Sequence, residues 1–93
     1  MENSRFLVIG TSNDARCMRH VTTMSAIFAR SGRSQVAYID YARVHIPPAM
    51  TPRALPALVR LRVSDNALVD RCDGWNNDIW RNMITQGVVQ TLR

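Results

Sequence analysis

The sequence contains no lysine, so all 12 of its basic side chains are arginines, and with seven acidic residues the formal net charge is +5. The arginines are scattered along the chain, and arginine suits bidentate contacts with phosphate or carboxylate groups. Arg60 and Arg62 share one face of a predicted strand, and we expect Arg71 on the next strand to join them. Such a patch would meet nucleic acid, an acidic protein surface or solvent.

Long apolar runs are also absent, and none approaches the ~18 residues that a membrane span requires. The first residues lack the apolar stretch of a signal peptide. There are only two cysteines, Cys17 and Cys72, which suits a reducing compartment. Together with His20 and His45 they form no closed metal-site spacing, and no nucleotide-binding loop or hydrolase triad is present. We therefore expect one soluble cytoplasmic domain over residues 1–93, without membrane contact or metal.

Apolar periodicity predicts the order strand, helix, strand in the first half of the chain. A nearly continuous apolar run at 5–11 is typical of a central strand. Residues of N-cap type at 12–14 precede a helix that ends near Gly32. The alternation at 35–41 predicts a second strand, parallel to the first in a right-handed βαβ unit. The apolar stripe of the helix consists of Cys17, Val21, Met24, Ile27 and Phe28.

The second half predicts a β-hairpin and a terminal helix. Prolines punctuate the stretch between Tyr41 and Pro56, which leaves room for at most about one helical turn near residues 50–54. Pro56 opens the first hairpin strand, 57–63, and the return strand covers 67–72. A terminal helix capped by Asn76 or Asn77 follows. Its inward-facing residues are predicted to be Ile79, Met83, Ile84, Val88 and Leu92.

This order, with a proline directly before the hairpin, resembles the thioredoxin/glutaredoxin fold. The resemblance implies a four-stranded mixed sheet with a reduced or absent middle helix. It also implies a cis Leu55-Pro56 bond at a docking edge, where the backbone before the proline pairs with a bound peptide. The sequence 73–77 is similar to the glutaredoxin region that caps a helix and helps to hold glutathione. Gly74 and Trp75 are thus candidate binding residues, but the acids of that region are replaced by asparagines.

The reactive Cys-x-x-Cys of that family is degenerate here, because residues 14–20 contain one cysteine, and a dithiol cycle is excluded. Two alignments remain open. In the first, Asp14 stands at the nucleophile's position as a helix cap and Cys17 is a buried thiol. In the second, Cys17 is exposed at the helix start beside Arg16 and Arg19, which favours the thiolate. His20 would then be a local base or hydrogen-bond partner, and monothiol exchange with glutathione would be feasible.

Three function classes follow from these alternatives. The first is a glutaredoxin-like or thioredoxin-like protein with, at most, monothiol chemistry at Cys17, for which glutathione would be the cofactor. The second is a redox-inactive thioredoxin-like module that binds a protein partner through the Pro56 edge, Trp75 and the arginines. The third is a basic domain associated with nucleic acid, which is disfavoured because no stacking aromatics interleave the arginines.

Overall fold

The structure is a computed structural model that describes residues 4–32 and 35–91, with side chains described as far as residue 85. It is an α/β fold with two α-helices and one four-stranded sheet. The elements in chain order are β1 (Ser4–Gly10), α1 (Ala15–Ser31), β2 (Val36–Asp40), a 3₁₀ turn (Pro48–Met50), β3 (Ala57–Arg62), β4 (Leu68–Asp73) and α2 (Asn77–Thr91).

The sheet is mixed, with the strand order β2-β1-β3-β4. Strands β1 and β2 are parallel, with Phe6 opposite Val36, and α1 connects them. Strand β3 runs antiparallel to β1 and to β4, so that Leu58 lies between Val8 and Cys72. The predicted βαβ unit and hairpin are therefore present, and they share one continuous sheet.

Helix α1 begins and ends where its sequence predicts. Asp14 is the N-cap, and its carboxylate accepts hydrogen bonds from the backbone N–H groups of Arg16 (2.9 Å) and Cys17 (3.2 Å). Gly32 ends the helix with φ 75°, a left-handed conformation that glycine adopts without a steric penalty. The buried residues of the helix are those of the predicted stripe: Cys17, Val21, Met24, Ile27 and Phe28.

Helix α2 is capped by Asn76, whose side-chain oxygen accepts a hydrogen bond from the Ile79 N–H at 3.0 Å. The prediction that Ile79 faces inward is wrong, because its side chain is 46% exposed. Trp80, Met83 and Ile84 form the buried face instead. The side chains of Val88 and Leu92 lie outside the described part of the chain.

The two faces of the sheet are covered differently. Helices α1 and α2 cover one face and enclose the larger core, which includes Phe6, Val8, Leu58, Trp80 and the stripe of α1. The other face holds Ile9, Ala57 and Val59, and its cover comes from the segment between β2 and β3, through Ile46 and Leu55.

That segment, 41–56, carries the 3₁₀ turn Pro48–Met50 and no α-helix. The prediction of at most about one helical turn in this proline-rich segment is confirmed, with the turn slightly earlier than the expected residues 50–54. Neither helix of the described part of the chain combines the length and the apolar character needed to cross a bilayer.

Candidate functional site

Three segments meet at one end of the sheet: the first turns of α1, the loop 53–56 ahead of β3, and residues 73–75 after β4. The Arg53 N–H donates to the Asp73 carboxylate at 3.0 Å. A Cβ added to Gly74 would lie 3.2 Å from the Ala54 Cβ, so the two loops are in close contact. The ring of Trp75 contacts α1 by stacking on His20. We call the surface formed by His20, Leu55 and Trp75 the docking surface.

The loop before β3 contributes Leu55 and Pro56. The peptide bond between them is cis, as the resemblance implies, and Pro56 is fully buried. Leu55 is half-buried and packs against both apolar clusters. Within the described residues, neither the N–H nor the C=O of Leu55 has a hydrogen-bond partner. Unpaired backbone groups of this kind require water or another chain.

The aromatic part of the docking surface is a stack. The rings of His20 and Trp75 lie 4.2 Å apart with an interplanar angle of 12°. Trp75 is also 5.4 Å from Trp80, at a tilted angle. The indole N–H of Trp80 donates to the Gly74 carbonyl at 3.0 Å, and Gly74 has φ 88°. Aromatic pairs of this geometry contribute about 0.5–1.5 kcal/mol beyond their buried area, so Trp75 is held at the surface in a defined position.

Cys17 lies in the first turn of α1, on its buried side, and is only 2% exposed. Its sulfur accepts a hydrogen bond from the Thr11 N–H at 3.4 Å, and its side chain belongs to the larger core. Asp14, with its exposed side chain at the helix cap, stands at the position that a reactive helix-start cysteine would need. These positions match the first of the two alignments, and an exposed Cys17 at the helix start does not fit the structure.

The second cysteine, Cys72, is partly buried in β4 and packs against the larger core. Its thiol lies 3.7 Å from the Gly74 carbonyl. Burial raises the pKa of the Cys72 thiol; a hydrogen bond with Trp80 partly offsets this rise in pKa, and the charge of Asp73 adds a smaller increase. A raised pKa leaves less thiolate at neutral pH. Both cysteines are free thiols.

The predicted arginine patch on the hairpin is wrong. Arg60 pairs with Asp70 across the strands, whereas Arg71 lies opposite Val59, on the other face of the sheet. Arg60 is 6% exposed and makes a two-pronged contact with Asp70, at 3.0 and 2.6 Å. Arg62 pairs with Asp65 at 3.3 Å, and Arg71 pairs with Asp73 at 2.9 Å. Each of these three guanidinium groups is therefore paired with an aspartate carboxylate of the hairpin.

Arg16 is exposed on the first turn of α1, and no ion pair of its side chain occurs in the described residues. Sequence reasoning missed the supporting contacts of Arg53 and Thr11 at this site, and it did not place Trp80 on the inward-facing stripe of the terminal helix. Trp80 could have been found from its spacing of three and four residues to Met83 and Ile84. The Arg53 and Thr11 contacts use backbone N–H groups, and no residue type predicts them.

The described part of the chain contains no group of three or more histidine, cysteine or acidic side chains arranged to hold a metal ion. No protein-family model matches the sequence, and no curated protein matches it significantly. The function must therefore be argued from the geometry of the site.

Proposed function

We propose that this chain is a thioredoxin-like binding module whose thiols do not turn over, and that the docking surface binds an extended segment of a protein partner. The observation that carries the proposal is the unpaired peptide group of Leu55 in a loop that contacts Gly74, together with the ring of Trp75, which follows Gly74 and is held by His20. A peptide that pairs with Leu55 in strand fashion would gain backbone hydrogen bonds there. Its side chains would contact the half-exposed indole, which is a favoured residue type at interfaces.

The element order and the proline before β3 support the thioredoxin-like assignment, together with the mixed sheet order β2-β1-β3-β4. The burial of Cys17 supports the loss of redox turnover, because thiol exchange requires an accessible thiolate. Gly74 and Asn76 keep the helix-capping part of the glutaredoxin-like region, but the carboxylates that would help to hold glutathione are absent from 74–77. We therefore rank peptide binding above monothiol exchange.

A random peptide library displayed on phage tests the binding role. We expect the wild-type protein to select peptides, and Trp75→Ala to weaken their binding at least about tenfold, which is typical of an aromatic hot spot. Leu68→Ala is the matched control, since Leu68 is 55% exposed at the opposite end of β4. Fluorescence anisotropy gives the dissociation constants, and the amide resonance of Leu55 should shift on peptide addition.

Peptides that bind Trp75→Ala and wild type equally well, and that leave the Leu55 amide unchanged, would contradict the proposed docking surface. A failure of the library to yield any binder would contradict peptide binding itself. Thermal melts of both variants distinguish loss of contact from loss of fold.

Thiol labelling tests the monothiol alternative. We expect iodoacetamide to leave Cys17 unmodified in the folded protein and to modify it readily in urea, because burial blocks access to the sulfur. Oxidised glutathione should form no adduct at Cys17. Mass spectrometry of peptide digests follows both cysteines, with the less buried Cys72 as an internal comparison. Equal labelling of Cys17 in the folded and unfolded protein would restore the monothiol hypothesis.

A further inference from the structure

Five of the six acidic side chains in the described residues are engaged, and the sixth, Asp78 in the first turn of α2, forms no ion pair there. Asp14 caps α1, and its carboxylate is held by two backbone N–H groups. The other engaged acids pair with arginines on the sheet and its loops. These pairs are Asp40 with Arg43, Asp65 with Arg62, Asp70 with Arg60, and Asp73 with Arg71.

The arginines next to the docking surface lack such partners. Helix α1 contains no acidic residue, and its side chains of Arg16 and Arg19 are exposed. Arg53 is exposed in the loop two residues before Leu55. Within the described residues, none of these three guanidinium groups forms an ion pair or a hydrogen bond. Their charges are therefore uncompensated.

The position of these charges relates them to the docking surface. Arg16 lies four residues before His20, so both side chains occupy the same face of α1, and Arg19 is adjacent to His20 in sequence. His20 stacks on Trp75, and Arg53 is attached through its N–H to Asp73, two residues before Trp75. Arg16 and Arg19 thus lie on the α1 side of the docking surface, and Arg53 belongs to the loop that leads to Leu55.

We propose that the segment bound at the docking surface is an acidic, extended peptide. This inference rests on the proposed function and adds the chemistry of the partner. Carboxylates on the peptide would complement the charges of Arg16, Arg19 and Arg53, while its backbone pairs with Leu55. Charge complementarity of this kind steers association and selects between partners.

A single-stranded nucleic acid fits this surface less well. Base stacking needs an open aromatic face, and Trp75 is stacked by His20 on one face and approached by Trp80. The hairpin arginines that would extend a phosphate track are paired with aspartates. The unpaired backbone of Leu55 offers strand pairing, which a peptide can provide.

The experiment uses two fluorescein-labelled peptides of equal length, one alternating Glu with Thr and the other alternating Gln with Thr, and a short oligothymidine. We expect the Glu peptide to bind tightest and to weaken as salt shortens the Debye length from about 10 Å at 0.1 M to about 3 Å at 1 M. Arg16→Gln and Arg19→Gln should each weaken it about twofold to fivefold, the range of exposed ion pairs.

Arg30→Gln is the matched control, because it removes from the same helix one exposed arginine that forms no ion pair within the described residues. Arg30 lies about 21 Å from Arg16 along the helix axis, at 1.5 Å per residue. We expect this variant to bind the Glu peptide as the wild type does. Equal losses for Arg16→Gln and Arg30→Gln would mean that net charge alone attracts the peptide, and would overturn the inference.

The remaining outcomes separate the inference from the proposed function. Equal binding of the Glu and Gln peptides, with both abolished by Trp75→Ala, would overturn the acidic partner and leave the docking surface intact. Binding of neither peptide at millimolar concentration would overturn both. Tighter binding of oligothymidine than of the Glu peptide, with dependence on Arg16 and Arg19, would overturn the inference in favour of nucleic acid.

Discussion

At the scale of single residues, the position of Cys17 decides the chemistry of this chain. Asp14 uses the exposed start of α1 for capping, so the thiol begins one turn deeper, where it packs among Phe6, Leu58 and Trp80. A shift of three residues along a helix nearly completes a turn and moves a side chain from the open end into the core. With 2% of its surface exposed, Cys17 packs there as a small apolar side chain.

Arg60 shows how a basic residue can serve the fold. Its side chain is 7% exposed and makes two hydrogen bonds to Asp70, whose side chain is 39% exposed. Charge-assisted, two-pronged contacts are among the stronger side-chain hydrogen bonds. The pair therefore fastens β3 to β4 on the face that carries the helices.

We predict that Asp70→Asn lowers the free energy of unfolding by about 2 kcal/mol, because it leaves the buried guanidinium without its anion. Asp65→Asn is the control. Its partner Arg62 is more than half exposed, and solvent screens that pair, so the expected loss is at most about 0.5 kcal/mol. Urea denaturation gives both values, and similar losses for the two variants would show that Arg60 does not depend on Asp70.

At the scale of secondary-structure elements, the two helices differ in how well their sequences reveal their buried faces. The stripe of α1 recurs every three or four residues over about three turns, and the outer face has no competing apolar residue of similar size except Met18. Helix α2 offers two overlapping stripes, one starting at Ile79 and one at Trp80. The larger indole is buried because it fills the core and donates to the Gly74 carbonyl.

Two isoleucines of α2 give a direct test of that face. Ile84→Ala should lower the free energy of unfolding by about 2–5 kcal/mol, because Ile84 is completely buried and truncation leaves a cavity. Ile79→Ala should change it by about 0.5 kcal/mol or less, since the side chain is exposed. Thermal or urea unfolding measures both. A larger loss of stability for Ile79→Ala than for Ile84→Ala would contradict the buried face of α2 described above and favour the face that includes Ile79.

The hairpin shows a limit of sequence reasoning that concerns register. Both strands and the turn between them were predictable, but the pairing of Arg60 with Asp70 and of Leu61 with Leu68 includes a shift between Arg60 and Leu61. A slip of one residue reverses the face of every following side chain. The sequence therefore predicted Arg71 beside Arg60 and Arg62, when it lies on the opposite face.

At the scale of the whole molecule, the order of elements was predictable because each has a distinct apolar period and clear boundary residues, such as Asp14, Gly32 and Pro56. The candidate site was predictable in part. Leu55 and Trp75 were identified through their place in that order. The stack of Trp75 on His20 depends on the distance between α1 and the loop after β4. The packing of the core between the helices and the sheet sets that distance.

The distribution of charge is also a property of the whole molecule. Aspartates accompany the arginines on β3 and β4, where side chains are crowded and an unpaired cation would be costly. Helix α1 carries arginines without acids. The helix therefore carries a local excess of positive charge, from Arg16, Arg19 and Arg30, which the total of +5 alone does not indicate.

The uneven cover of the sheet has a consequence for how this scaffold can diversify. The chain leaves β2 at Asp40 and re-enters the sheet at Ala57, and between these points it touches the second face through Ile46 and Leu55. Extra residues inserted near Pro48 would pack over the partly buried apolar side chains of this second face, such as Ile39 and Ile46. The ends of β2 and β3 would stay where they are. We expect longer versions of this architecture to have grown at that position, because added length there leaves His20 and Trp75 undisturbed.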